Sequence, residues 1–460
     1  MTKRRRIAII GGGITGLAAA YELAQRRIPF TLLEGSGRLG GLIRTDRIDG
    51  FTIEAGPDSL LAQKAAGMKL CDELGLTPRL ISTTPPRRAF VLAHKRLHPL
   101  PSPSVLGIPA TWSGIARYDL LPIAARARLA LEPLVRRRAP GSGDESVASF
   151  FRRRFGDSTV RLIAEPLLGG IHAGDIERLS MRALFPRLIE METRGSVLTS
   201  LRRTRQPAVD GVFRSPAGGM IEIVNAIQQR LDAGSIRLDA KASTLRRTST
   251  GWTVQTDREQ HAARAVILAV PAYTAAHLLE AVDEEAARLC AEVPYASTAS
   301  VTLAWPRGAI DHELAGSGFV VARLPDAPRI TACTWVSSKW SDRAPAGWAL
   351  IRVFIGGAAD PEAAKLPDDD LVSIAVRDLT PVLGIRTPPE LTRVYRWHDA
   401  GAQHNVGHLD RVQRIEGRLV TTPGIVVAGS GFRSVGIPDC VADGRSAAAA
   451  AASHVADLLR

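Results

Sequence analysis

Residues 7–16 read IAIIGGGITG, so a short apolar run meets three consecutive glycines near the start of the chain. The stretch Leu17–Gln25 is rich in alanine and leucine, as in a buried helix, and Phe30–Glu34 is a second apolar run that ends in an acid. Short apolar runs bounded by glycine or proline are typical of buried strands. The opening of the chain therefore predicts strand, glycine turn, helix, strand and acid, in that order.

This order is typical of a dinucleotide-binding unit, in which each glycine has a separate role. We expect Gly11 to make the tight turn, Gly13 to let a pyrophosphate approach the backbone, and Gly16 to pack the helix on the strand. The helix N-terminus attracts the pyrophosphate, and Glu34 accepts hydrogen bonds from ribose hydroxyls.

The next segment indicates which dinucleotide binds. Arg38 is followed by Gly40 and Gly41, and residues 54–59 read EAGPDS. Glycines let the backbone approach a ligand, and an arginine can neutralise a phosphate. A domain that binds only NAD does not need this segment, which resembles the Arg-x-Gly-Gly fingerprint of FAD-dependent amine oxidases. The predicted cofactor residues here are Arg38, Gly40, Gly41, Gly56, Pro57, Asp58 and Ser59.

Composition narrows the class of protein. The 460 residues hold 59 Lys and Arg against 46 Asp and Glu, a formal charge of +13, with 45% hydrophobic residues and four scattered cysteines. These values exclude a disordered chain and a disulfide framework, and they favour a reducing compartment. No cysteine spacing suits a metal, and no apolar run reaches the roughly 18 residues that span a bilayer. The positive charge permits an anionic ligand, a membrane surface or nucleic acid.

The order of predicted elements indicates an α/β (α+β) fold with a Rossmann-type FAD-binding domain built from discontinuous segments. We assign residues 1–80, 206–285 and 400–460 to this domain. Residues 81–205 are predicted to be a helical, membrane-facing insertion, interrupted at its Gly169-Gly170 pair. Residues 286–399 alternate between apolar and polar in several stretches and predict an antiparallel-sheet substrate domain.

A glycine-rich loop precedes the last helix, in residues 429–440, which read GSGFRSVGIPDC. A helix N-terminus at this place can direct its N–H groups at a flavin carbonyl and stabilise the negative charge of the reduced ring. We therefore include Gly429, Val435, Gly436 and Ile437 among the cofactor residues.

This loop resembles that of oxygen-dependent protoporphyrinogen and coproporphyrinogen oxidases. Similar family segments occur in order along the chain, at residues 54–59, 165–175, 215–220 and 407–409. The resemblance implies non-covalent FAD, a porphyrinogen substrate oxidised to a porphyrin in three two-electron steps, and dioxygen as the acceptor, which yields hydrogen peroxide.

The same resemblance supplies further candidate residues. The backbone near Gly170 approaches the substrate in this family, and His172 beside it could act on pyrrole protons. Lys64 corresponds to a basic position at the substrate mouth, and Trp397 to an aromatic residue near the flavin. Ala242 completes the predicted cofactor set. No side chain is assigned with certainty as a catalytic acid or base, and no metal is expected.

Alternatives stay open at this point. A flavin amine oxidase of the same superfamily is one, although Cys440 lies in the porphyrinogen-oxidase signature rather than in an attachment motif. A carotenoid desaturase has a different C-terminal motif, and a non-enzymatic basic protein bound to membrane or nucleic acid is the third. Arginines without interleaved aromatics argue against nucleic acid. We expect a cytoplasmic protein with peripheral membrane contact, and leave open the preferred porphyrinogen, a homo-oligomer, and porphyrin transfer to a chelatase of the heme pathway.

Overall fold

A computed structural model describes residues 6–139, 141–203, 211–433 and 435–458. Residues 1–5, 140, 204–210, 434 and 459–460, which belong to the predicted domains, lie outside the described residues. The strands of the described part are β1 (Ile7–Ile10), β2 (Phe30–Leu33), β3 (Thr45–Ile48), β4 (Phe51–Glu54), β5 (Leu60–Leu61), β6 (Leu80–Ser82), β7 (Ala89–Ala93), β8 (Arg96–Pro99), β9 (Ser104–Val105), β10 (Ile108–Pro109), β11 (Phe213–Pro216), β12 (Ile236–Arg237), β13 (Ala242–Thr248), β14 (Gly251–Thr256), β15 (Gln260–Ala263), β16 (Ala265–Leu268), β17 (Tyr295–Pro306), β18 (Gly318–Val321), β19 (Ala332–Trp335), β20 (Trp348–Gly356), β21 (Leu391–Ala402) and β22 (Ile425–Val427).

The α-helices of the same residues are α1 (Ile14–Gln25), α2 (Ala65–Glu73), α3 (Trp112–Ala116), α4 (Ile123–Ala130), α5 (Val147–Phe155), α6 (Asp157–Thr159), α7 (Gly170–His172), α8 (Met181–Leu184), α9 (Pro186–Thr193), α10 (Val197–Arg203), α11 (Ile221–Gln228), α12 (Ala272–Leu279), α13 (Glu284–Ala291), α14 (Val336–Lys339), α15 (Asp368–Leu383), α16 (His408–Val420) and α17 (Ile437–Asp457). A π-helix spans Val160–Gly169, and short 3₁₀ turns occur at Thr77–Arg79, Glu132–Leu134, Ala233–Ser235, Arg307–Ala309 and Ala363–Lys365.

A five-stranded parallel sheet contains the opening sequence motif. Its order is β12-β2-β1-β16-β22, so the strands come from three separated parts of the chain. Every residue of β1, β2 and β16 is buried. Continuous apolar strands of this kind need cover on both faces. Helices α1, α2, α11 and α17 supply one core, and β13–β15 with α12, α13 and α16 supply the other.

A seven-stranded sheet lies beside this unit, in the order β21-β17-β20-β19-β18-β7-β8. All its pairs are antiparallel except β7 with β18. Residues 89–99 thus form two strands of this sheet, although they fall within the segment 81–205 predicted to be helical. The reason is a long-range pairing, Phe90 opposite Phe319, that the proline-rich local sequence does not reveal.

Helices dominate residues 112–203, where three phenylalanines of α5 are buried in a separate core. Ser146 caps α5 by accepting a hydrogen bond from the Ser149 backbone N–H at 3.1 Å. Arg154 and Glu132, both fully buried, form an ion pair between α5 and the 3₁₀ turn Glu132–Leu134.

The expected interruption at Gly169-Gly170 is wrong. Gly170 has helical angles, φ −61° and ψ −44°, and the π-helix continues directly into α7. The helical path ends at Ala173, whose φ is +47°. The wider π-helical turn carries Pro166 and the glycine pair without a break, and π-helical turns are frequent at functional sites. Within the described part of the chain, no helix has the length and apolar character needed to cross a membrane.

Candidate active site

A cleft of about 700 Å³ opens at the carboxyl edge of the parallel sheet. Residues that follow β1, β2, β16 and β22 form its floor, which is where open α/β sheets bind their ligands. Many of the predicted cofactor residues line this cleft, namely Gly11, Gly13, Glu34, Gly40, Gly41, Pro57, Ala242, Trp397, Gly429, Val435, Gly436 and Ile437. Its volume lies within the roughly 300–1,000 Å³ usual for small-molecule and cofactor sites.

Two glycine loops lie side by side on this floor. The Gly40 N–H donates to the Gly12 carbonyl at 2.8 Å, and a Cβ on Gly41 would lie 3.1 Å from the Gly13 Cα. A Cβ on Gly13 itself would meet nothing within 4 Å. The loops therefore hold each other in place and present bare backbone to the cleft.

Two helices begin at this floor without side-chain caps. Helix α1 follows Gly13 and has no acid in its first turn. Helix α17 follows Gly436, and the one acid of its first turn, Asp439, is paired with Lys64 at 2.5 Å. Uncapped helix N-termini carry free N–H groups and partial positive charge, so both attract an anionic or electron-rich ligand.

Glu34 is fixed at the end of β2 by two backbone donors. Its Oε2 accepts from the Gly12 N–H at 2.7 Å, and its Oε1 accepts from the Ser36 N–H at 2.8 Å. Oε1 also accepts from the Ser36 hydroxyl at 2.7 Å, whereas Oε2 keeps a further lone pair, because each oxygen of an ionised carboxylate has about two acceptor sites. The carboxylate can therefore accept a ribose hydroxyl without moving.

Gly16 and Arg38 lie outside the cleft lining. A Cβ on Gly16 would lie 1.9 Å from the Gly11 carbonyl oxygen, so this position packs α1 against the glycine turn. The Arg38 guanidinium donates to the carbonyls of Gly41 at 2.6 Å and Ile43 at 3.2 Å. Arg38 thus supports the Gly40-Gly41 loop, and its contact with a phosphate stays a prediction.

Gly56, Asp58 and Ser59 also lie outside the lining. A Cβ on Gly56 would lie 2.0 Å from the Leu42 carbonyl, so this residue brings two segments together. Asp58 Oδ2 accepts from Lys339 at 2.7 Å, and Ser59 donates to Asp58 Oδ1 at 2.8 Å. Burial opposes ionisation of Asp58, but the charges of Lys339 and Arg352 outweigh it and lower its pKa. This carboxylate connects the loop to Arg352 of the seven-stranded sheet, and its role toward a cofactor stays a prediction.

Aromatic residues form a wall that the sequence reasoning only partly identified. Tyr273 and Tyr295 meet edge to face with centroids 5.0 Å apart, and Trp397 donates its Nε1–H to the Ala55 carbonyl at 2.9 Å. Both tyrosines line the cleft and were missed. Pro271, three residues after the end of the buried strand β16, was the available signal, because residues at this edge of a parallel sheet face the ligand.

The predicted substrate residues do not line this cleft, and Gly170 belongs to the wall of a separate cavity. Gly170 lines a small cavity together with Glu165 and Arg323, and a Cβ on Gly170 would meet nothing within 4 Å. His172 follows on the same short helix. Burial, then the neighbouring His404 and Lys64, lowers the pKa of His172 to about 4, so its imidazole is neutral at pH 7. Lys64 does not line the cleft and is paired with Asp439.

Arg323 and Glu165 are polar residues of this wall that were not predicted. Burial raises the pKa of the Glu165 carboxyl, and Arg323 partly opposes this effect. Arg323 is half-buried and makes no hydrogen bond or ion pair with the residues that the structure describes. A half-buried cation beside open glycine backbone can receive a carboxylate.

Cysteines and metal ligands contribute little to the site. All four cysteines are buried and none forms a disulfide with another, and Cys440 alone among them lines the cleft. Across the described ranges, no cluster of three or more His, Cys, Asp or Glu side chains could hold a metal ion.

Known proteins resemble the chain over nearly its whole length. A family model described as flavin containing amine oxidoreductase matches residues 14–452. Coproporphyrinogen III oxidase of Bacillus subtilis (strain 168) is 34% identical over 469 residues, covering 98% of this chain and 99% of the relative. Protoporphyrinogen oxidase 1, chloroplastic, of Spinacia oleracea is 29% identical over 486 residues, with coverages of 98% and 84%. A crystal structure of a protein from Exiguobacterium sp. 255-15 has a TM-score of 0.87 and 33% identity, with coverages of 98% and 99%.

Proposed function

The chain belongs to the flavin containing amine oxidoreductase family, and from this membership we propose that it oxidises coproporphyrinogen III to coproporphyrin III, with FAD as cofactor and dioxygen as electron acceptor. The observation that carries the proposal is the near full-length identity of 34% to a coproporphyrinogen III oxidase. The chain is a flavin-dependent oxidoreductase, and its relatives with similar coverage are named for porphyrinogens.

The cleft supports FAD as the flavin. Bare backbone at Gly13 and the uncapped start of α1 suit a pyrophosphate, and the fixed Glu34 suits the adenosine ribose. The start of α17 at Gly436 suits an electron-rich ring carbonyl. The space beside Gly13 is open, because a Cβ added there would meet nothing within 4 Å. The residues present therefore fit a flavin dinucleotide.

FAD supplies the redox chemistry: in three rounds one porphyrinogen loses six hydrogens, and three molecules of dioxygen become three of hydrogen peroxide. The protein binds, orients and excludes water. The Tyr273–Tyr295 wall and Trp397 present apolar faces, and the neutral imidazole of His172 can accept a proton released by the macrocycle. A lowered pKa makes His172 a weak base, so we assign it a supporting role in proton removal.

The preference for coproporphyrinogen rests on the relatives of similar length that are named coproporphyrinogen III oxidase, and carboxylate count makes it testable. This substrate has four propionates, and protoporphyrinogen has two. Arg323 beside Gly170 and Lys64 at the mouth are the cations proposed to receive propionates. Lys64 must then exchange its present partner, Asp439, for the substrate, which is feasible because both side chains are partly exposed.

Peripheral membrane contact is a separate part of the proposal. Large apolar side chains of the helical segment are exposed, including Trp112, Ile123 and Leu134, the last two at 81% each. Residues 126–138 also contain five arginines. Apolar side chains beside positive charge can bind the surface of an anionic bilayer without crossing it. We propose a cytoplasmic protein that attaches in this way and does not bind nucleic acid. Flotation with anionic vesicles tests it, and failure of Leu134→Ser to weaken flotation would contradict this surface.

Porphyrin fluorescence tests the central claim. Purified enzyme with FAD should convert coproporphyrinogen III to its porphyrin faster than it converts protoporphyrinogen IX, with about three peroxides per porphyrin. Oxygen-free buffer should stop turnover after the bound flavin is reduced. If neither porphyrinogen reacts and an amine bleaches the flavin, the family's amine oxidase activity replaces the proposal. Self-association and transfer of the porphyrin to a chelatase remain predictions.

A further inference from the structure

Two buried histidines stack on each other in the connection between β21 and α16. The rings of His404 and His408 lie 3.9 Å apart between centroids, with their planes 10° from parallel. Only 3% of His404 and 0% of His408 is exposed. Neither residue was assigned a role by the sequence, and neither lines the cleft.

Both rings bind the loop that opens α17. His404 Nε2 lies 2.8 Å from the Ser430 carbonyl, and His408 Nε2 lies 2.6 Å from the Phe432 carbonyl. A carbonyl only accepts, so both Nε2 atoms carry the proton. Ser430 lines the cofactor cleft. The histidine pair therefore fixes the backbone of the loop that faces the flavin.

The residue before His404 binds the turn that contains His172. Gln403 Nε2 donates to the His172 carbonyl at 3.0 Å and to the Gly401 carbonyl at 2.9 Å. The His404 carbonyl also accepts from the Ser180 N–H at 2.8 Å. The consecutive residues Gln403 and His404 thus hold the turn after Gly170 and the loop that contains Ser430, respectively.

The charge state of the pair favours a geometric role. Burial lowers the pKa of His404, and burial followed by the neighbouring His404 lowers that of His408 to about 3. Among the charged or titratable groups nearby, Arg411 also lowers the pKa of His408. The neighbouring His172 has its own pKa lowered by burial and then by His404 and Lys64. Both rings are neutral at pH 7. His408 Nδ1 is buried without a partner among the described residues, which suits a ring that is never protonated in the fold.

We propose that Gln403, His404 and His408, here termed the histidine bracket, are positioning residues that set the distance between the bound macrocycle and the flavin. This inference rests on the proposed function, because it assumes that the substrate binds beside the Gly170 turn. Hydrogen transfer is steep in distance, and a misplacement of about 1 Å can cost about a hundredfold in rate. A rigid bracket spanning this turn and the loop that contains Ser430 keeps this distance constant through three rounds of oxidation.

The variant His404→Phe tests the bracket because it keeps the ring and the stack but removes the N–H donor. Gln403→Met removes the other donor at similar volume. We expect each to lower kcat per bound flavin by roughly tenfold or more, with KM for coproporphyrinogen III changed less than twofold. The double variant should lose little more than the worse single variant, since the two residues act on one distance. The rate of anaerobic flavin reduction is the direct readout.

His277→Gln is the matched control, because this histidine lies on α12 with 65% of its side chain exposed. Unchanged kcat per bound flavin in His404→Phe, with lower thermal stability alone, would overturn the bracket. Failure of wild-type enzyme to oxidise any porphyrinogen would instead overturn the proposed function. In that case FAD binding by the apoprotein tests whether His404 positions the loop before α17. A Kd for FAD that is about fivefold higher in His404→Phe supports this role, and an unchanged Kd refutes it.

Discussion

Two regions are built by different means: the glycine floor proposed for the flavin, here called the flavin wall, and the surroundings of the Gly170 cavity proposed for the substrate, here called the substrate wall. The flavin wall is mainly backbone: Gly13, Gly40 and Gly41 face each other within one short stretch of chain, and α1 starts from the same turn. The substrate wall is made of side chains from distant segments, such as Gln403, which contacts the His172 carbonyl across 231 positions. The first wall should therefore be sensitive to any added atom, and the second to loss of particular functional groups.

The largest expected effect is at the flavin wall. Gly13→Asp places a carboxylate where nothing lies within 4 Å, directly in the proposed pyrophosphate position. We expect FAD affinity to fall more than about a hundredfold, because a negative charge replaces a backbone surface that attracts anions. Flavin content after purification and FAD titration of apoprotein measure this change.

Gly417→Asp is its matched control, since a Cβ there also meets nothing within 4 Å and the residue is exposed on α16. Normal flavin content in Gly13→Asp would show that the pyrophosphate does not bind there.

Acid should weaken the substrate side through its neutral histidines. The pKa of His408 is lowered to about 3 in the fold and that of His172 to about 4, against about 6.5 when unfolded. Stability is therefore full above pH 6.5. It declines as the pH falls toward these values, because only the unfolded chain then gains the protons, at up to about 1.4 kcal/mol per pH unit for each histidine.

Urea unfolding at several values between pH 7.5 and 4.5 tests this decline in the free energy of unfolding. His408→Phe should show a shallower dependence on pH than wild type, whereas the exposed control His277→Gln should not. Equal slopes for all three proteins would mean that His408 titrates normally in the fold.

A smaller effect is expected at Arg323. Arg323→Gln should raise KM for coproporphyrinogen III by about tenfold, because a charged hydrogen bond to one propionate is lost. The KM for protoporphyrinogen IX, which has fewer propionates, should rise less. Arg161→Gln, an exposed arginine at the start of the π-helix, serves as control. Equal KM increases for both substrates would remove Arg323 as a determinant of specificity.

The smallest change concerns the aromatic wall. Trp397→Phe keeps an aromatic face but removes the hydrogen bond to the Ala55 carbonyl. Removing one such bond costs about 1 kcal/mol, so FAD affinity should fall roughly fivefold while turnover of bound enzyme is maintained. Fluorescence titration with FAD measures the change, and a loss comparable to that of Gly13→Asp would show that this wall matters as much as the glycine backbone.

Prediction from sequence succeeded best where neighbours in the chain are neighbours in space. Residues 7–34 fold as predicted into β1, α1 and β2, and Glu34 ends β2 at the cleft. The cap at Ser146 is likewise local, because the capping hydroxyl and the Ser149 N–H that donates to it are three residues apart. Arg38 and Asp58 mark the limit of this approach, since the sequence cannot tell whether a charged side chain faces a ligand or supports a loop.

The amino-acid sequence alone determined the nucleotide-binding turn, its chemistry and the resemblance to porphyrinogen oxidases. These depend on glycine geometry and on short motifs that stay in order along the chain. The tertiary structure alone decided that residues 89–99 join the seven-stranded sheet, that Tyr273 and Tyr295 form a wall, and that Gln403 and His404 connect the flavin wall and the substrate wall. The physical reason is that such contacts join residues far apart in the chain, and their partners become known only when the cores have packed.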